Sequence, residues 1–86
     1  MDSLSILFGT KTSALILLYI QNYREGTIAG IAKTFAMHKN RVYVRLLKLE
    51  EGGVLVARSM GNQRVFTLNP RFLGRAALAN FLEQWL

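Results

Sequence analysis

The 86-residue chain has no cysteine, which excludes a disulfide framework and any thiolate metal site. It has one histidine and five acids, with no glycine-rich phosphate loop and no nucleophile motif. A chain this short also leaves little room for a substrate pocket, so these shortages argue against an enzyme. The longest unbroken apolar run, residues 14–20, is seven residues. A bilayer span needs roughly 18–20. Met1-Asp2-Ser3 lacks the basic stretch and cleavage site of a secretory signal. No long basic amphipathic helix is present for an acidic membrane surface. Repeats, linkers and low-complexity tracts are absent too. The expectation is one cytoplasmic domain over residues 1–86, with no cofactor, no metal and no membrane partner.

What is present is apolar bulk and positive charge. Apolar residues make up 51% of the chain and are spread along it. That matters because a domain of this size buries only about 60–65% of its unfolded surface. Eleven Lys and Arg against five acids give a net charge of +6. Between Lys33 and Arg64 stand seven of those cations and only Glu50 and Glu51, so five of the six net charges sit in one segment. A basic domain attracts phosphate polymers, and here the attraction has an address.

Thr10 offers an N-cap for a helix over about 11–23, apolar on nearly all sides and therefore buried against several neighbours. Thr27 caps a second, short helix over 27–35, whose Ile28, Ile31, Ala32 and Phe35 recur at helical spacing. After Ala36-Met37 a third helix runs over about 38–51, with Val42, Leu46 and Leu49 as its apolar stripe. Gly52-Gly53 ends it. Two strands, 54–59 and 64–68, are joined through Met60-Gly61-Asn62-Gln63 as a hairpin. Asn69-Pro70 opens a last helix over about 72–86. The fold class is mainly α with a small β-hairpin.

Two short helices joined by a tight turn make a helix-turn-helix unit. Ala32 supplies the small residue where the helices cross, Ala36 the turn, and Val42 the branched residue that locks the crossing. A basic hairpin follows at once. From these residues the chain resembles the small winged helix-turn-helix regulators of prokaryotes, the ArsR-like and MarR-like group. Residues 7–12, 28–51 and 54–70 carry the resemblance. Leu49-Glu50-Glu51-Gly52-Gly53-Val54-Leu55 is similar to that family's junction of recognition helix and wing, and Arg64-Val65-Phe66-Thr67-Leu68-Asn69-Pro70 to its second wing strand. The resemblance implies a winged helix-turn-helix fold, with the wing at about 54–68, and binding of double-stranded DNA in transcriptional regulation, often as a homodimer. Metal sensing by the family's cysteine or acid-histidine sites does not carry over to this composition.

With Val42 inward and about 100° per residue, Asn40, Tyr43, Val44 and Leu47 point outward. The first half of such a helix reaches base edges in the major groove, so His38, Lys39, Asn40, Tyr43 and Val44 are the candidate readers. Asn40 suits adenine, and Tyr43 or Val44 a thymine methyl. Lys33, Arg41 and Lys48 are the candidate phosphate contacts. Arg58, Asn62 and Arg64 are the candidate wing residues, the arginines flanking the tip. Tyr43, Val44 and Leu47 together also suit a protein-binding surface, which makes a protein-interaction module the rival reading. Leu78, Phe81, Leu82 and Trp85, on one face of the last helix, are expected in a dimer interface.

Overall fold

The computed structural model describes residues 11–72, which fold as α1 (Lys11–Tyr23), α2 (Ile28–Phe35), α3 (Lys39–Glu51), β1 (Leu55–Met60) and β2 (Gln63–Leu68). The N-cap expected at Thr10, the last helix and the dimer residues Leu78, Phe81, Leu82 and Trp85 lie outside the described residues. Among the described residues, no helix is long and apolar enough to cross a membrane.

Helix α1 is the central element. Ala14, Ile16, Leu17 and Ile20 are buried, and Leu15, Leu18 and Tyr19 are half-buried, as expected of a helix apolar on most sides. Arg24, at a φ of 75°, turns the chain out of α1. The next residues pair with the hairpin, a contact that no local sequence signal marks. Gly26 donates to the Phe66 carbonyl at 3.0 Å and accepts from the Phe66 amide at 2.9 Å. The hairpin is thereby tied to the helices. Glycine suits this approach, because a Cβ at position 26 would lie 2.9 Å from Ile31 Cδ1 and 3.1 Å from Tyr19 Cε1, and those side chains would have to shift.

Thr27 caps α2 as its sequence position implies: extended backbone, with Oγ1 accepting from the Gly30 amide at 3.1 Å. Helices α2 and α3 end alike. The Met37 amide reaches the Ala32 carbonyl at 2.9 Å and that of Ala36 the Lys33 carbonyl at 3.4 Å. In the same way the Val54 amide reaches Leu49 at 2.9 Å and that of Gly53 reaches Glu50 at 3.0 Å. Both are Schellman closures, with Ala36 (φ 54°) and Gly53 (φ 77°) in the left-handed position. Glycine takes that conformation freely, whereas alanine is strained there. Ala36 is exposed, so its methyl contributes little packing. Ala36→Gly should therefore stabilise the domain by about 0.5–1 kcal/mol. Thermal unfolding should show this as a rise of roughly 2–8 °C, and an unchanged or lower Tm would count against the strain.

β1 and β2 pair antiparallel from Leu55↔Leu68 to Met60↔Gln63. The connection is therefore two residues, Gly61-Asn62, and not the four read from composition. Gly61 lies at a φ of 63°. β1 starts one residue later than expected, because the Val54 amide is used in closing α3. Asn69 heads a turn, and the helix it was expected to open lies outside the described residues. Its Oδ1 accepts from the Arg71 amide at 2.9 Å, while its Nδ2 donates to the Gly53 carbonyl at 2.9 Å.

One core joins these elements: Ile16, Leu17 and Ile20 from α1, Ile31 and Ala32 from α2, Val42, Leu46 and Leu49 from α3, and Val54, Leu55 and Phe66 beyond. The inward stripe of α3 is the one its spacing implied.

Candidate nucleic-acid interface

With Val42, Leu46 and Leu49 buried, the opposite side of α3 faces outward. His38, Lys39, Asn40, Arg41, Tyr43, Val44 and Lys48 are all exposed. Lys33 is exposed on α2. Leu47 is half-buried, so the apolar patch on this face consists mainly of Tyr43 (39% exposed) and Val44 (42%).

The charges on this face lack partners. Among the described residues the ion pairs are Arg58–Glu25 and Arg64–Glu50, and neither involves a cation of α2 or α3. Lys33, Lys39, Arg41, Arg45 and Lys48 all stand without a counter-ion there. An unneutralised row of this kind keeps its full attraction for phosphate.

The two arginines of the hairpin are held otherwise. Arg64 Nη2 donates to Glu50 Oε2 at 2.7 Å, and its guanidinium lies 5.1 Å from the Phe66 ring centroid. Arg58 Nη2 donates to Glu25 Oε1 at 3.1 Å, tying β1 to the segment between α1 and α2. Both pairs are partly exposed, so each adds little stability. Their geometric effect is larger, since they join the hairpin to α3 and to the α1–α2 connection. Both arginines stand near the tip, where the sequence places them, in the pairs Arg58↔Val65 and Ser59↔Arg64, but each is held by an acid. Asn62, in the turn, is exposed and makes no hydrogen bond among the described residues.

Sequence reasoning did not single out Arg45 or Thr12. Both line a depression beside α3, together with His38, Asn40, Arg41 and Val44. No cluster of three or more His, Cys, Asp or Glu able to hold a metal ion occurs among the described residues.

A buried helix pair, an exposed third-helix face and a hairpin fixed beside it define a winged helix-turn-helix domain. Solved structures share this architecture. The AntR antimony-specific transcriptional repressor is similar with a TM-score of 0.78 and 17% identity, over 95% of this chain and 69% of that one. Reduced HlyU from Vibrio cholerae is similar with a TM-score of 0.76 and 14% identity, over 94% and 79%. An ArsR-family transcriptional regulator gives 0.66 and 22%, over 93% and 84%. At these identities the likeness is one of fold. No protein-family model matches the sequence, and no curated protein matches it.

Proposed function

We propose that this chain binds double-stranded DNA sequence-specifically as a transcriptional regulator. The observation that carries the reading is the outward face of α3, where Asn40 stands among cations without counter-ions. The regulators that share the fold support it. In this reading His38, Lys39, Asn40, Tyr43 and Val44 meet base edges in the major groove. Lys33, Arg41 and Lys48 hold phosphates and set the register. Asn62 brings the wing tip to the duplex, while Arg58 and Arg64 add their field from the hairpin. The role is one of binding, without catalysis, and belongs in the cytoplasm.

Asn40→Ala should cost about 1–3 kcal/mol on the preferred sequence and little on random duplex. Arg64→Ala should weaken all duplexes more evenly. Fluorescence anisotropy on a selected site and a scrambled one separates the two. Equal losses on both duplexes for both variants would remove the assignment of reader and anchor.

The exposure of Tyr43 and Val44 favours a second reading, a module that binds a protein through this face. Such an interface would show weak dependence on salt, and random duplex would not bind at about 50 mM salt.

We further propose that the chain acts as a homodimer through Leu78, Phe81, Leu82 and Trp85. A two-fold pair would present two α3 helices to half-sites about 34 Å apart. Sedimentation at micromolar concentration should give twice the chain mass, and removal of residues 81–86 should give folded monomers with much weaker DNA binding. A wild-type monomer under those conditions would remove the dimer and its palindromic site together.

A further inference from the structure

The amino end of α3 carries the wrong charge for a helix. The macrodipole places partial positive charge there and favours acids nearby, yet the first turn has none. Lys39 and Arg41 occupy it, and the N-cap His38 makes no side-chain capping bond. The amides of Lys39, Asn40 and Arg41 have no acceptor among the described residues. Arg45 follows Arg41 by four residues, a spacing at which like charges repel. None of these cations has a counter-ion among the described residues.

A second observation comes from another element. Thr12, in the first turn of α1, is only 4% exposed and makes no side-chain hydrogen bond among the described residues. It lines the same depression as His38, Asn40, Arg41, Val44 and Arg45. A threonine without a side-chain hydrogen bond thus shares one depression with two arginines and a bare helix end, a set that a negatively charged group rich in acceptor oxygens would satisfy together.

We infer that this depression is a seat for a single phosphate group. Arg41 and Arg45 supply charge and forked donors. Free amides at the amino end of α3 supply the oriented N–H groups that bind anions. Thr12 donates its hydroxyl from α1. The phosphate comes from the DNA backbone or from a free phosphorylated solute. For the first source the inference rests on the DNA-binding reading, and for the seat itself it does not. If the source is DNA, the seat fixes how far α3 slides along the groove, because it lies beside Asn40 and Val44. Arg45 then joins Arg41 as a phosphate contact.

The test compares wild type with Arg45→Gln and Thr12→Val, in phosphate and in chloride of equal ionic strength. Thr12→Val keeps the buried shape and should melt in chloride at or above the wild-type temperature, so a folding defect cannot mimic the result. Phosphate stabilises many proteins by exclusion from their surface, and the readout is therefore the difference between variants. Wild type should gain about 3–6 °C more from phosphate than either variant. In the DNA arm, Arg45→Gln should make the plot of log K against log salt shallower by about one unit. Extra phosphate stabilisation with an unchanged slope assigns the seat to a free phosphate. A shallower slope without extra stabilisation assigns it to DNA. Equal phosphate gains in all three proteins together with an unchanged slope overturn the seat while leaving DNA binding intact. A wild type that binds no duplex but shows the phosphate gain keeps the seat and removes the DNA reading.

Discussion

Raising salt from about 50 to 200 mM should weaken duplex binding by two to three orders of magnitude per protomer. The expectation follows from a count. Lys33, Lys39, Arg41, Arg45 and Lys48 lack counter-ions among the described residues, while Arg58 and Arg64 are each held by an acid. Each phosphate neutralised on B-DNA contributes about −0.9 to the slope of log K against log salt. Five free cations therefore give a slope of about −4 to −5, and full use of the two hairpin arginines would push it beyond −6. Anisotropy titrations across a potassium chloride series measure the slope directly. Glu50→Gln frees Arg64 and should steepen it toward an additional unit. A slope near zero would transfer the α3 face to a protein partner.

Leu46→Ala should destabilise the domain by about 2–5 kcal/mol. Leu46 is fully buried at the middle of α3, among core residues drawn from all three helices and the hairpin. Its truncation leaves a cavity where three layers meet, and a rigid helix cannot close over it. A domain of this length has only about 4–13 kcal/mol in total, so the loss is a large share. The melting temperature should fall by roughly 10–30 °C. Val44→Ala is the matched control: two residues away and 42% exposed, it should change stability by less than about 0.5 kcal/mol. Comparable losses at 44 and 46 would mean that α3 is rotated from the orientation described.

The parts of this molecule that were legible in the sequence are those decided by local periodicity and caps. Val42, Leu46 and Leu49 follow helical spacing and are buried together; Thr27 caps where threonine precedes an apolar repeat; Gly53 closes α3. The exposure of Asn40, Arg41, Tyr43, Val44 and Lys48 follows from that same wheel. Contacts between distant residues were not legible. Gly26 and Phe66 lie forty positions apart, and nothing in Arg24-Glu25-Gly26 marks it as a sheet partner. Glu25 and Glu50 read as ordinary surface acids, yet they hold the two hairpin arginines across separations of 33 and 14 residues. Arg45 falls on the flank of the buried stripe, between the inward and outward sets, and was assigned to neither. Thr12 reads as a helix-start residue until its neighbours across the fold are known. The hairpin turn was misjudged in length because composition marks the region, while backbone geometry decides how far the pairing runs.

The attachments along the hairpin leave only its last residue pair and its turn free. Gly26 clasps Phe66, and Glu25 and Glu50 hold Arg58 and Arg64, all below the last residue pair, Met60↔Gln63. Beyond them, Met60, Gly61, Asn62 and Gln63 are exposed and carry no contact on which the helices depend. Insertions there cost little, since lengthening a surface turn adds only a small closure entropy. Two residues added to each strand would carry the tip about 7 Å farther out. The reach of the hairpin can therefore change while the helical frame and the outward face of α3 stay as they are, and in the DNA-binding reading that reach sets the length of duplex spanned.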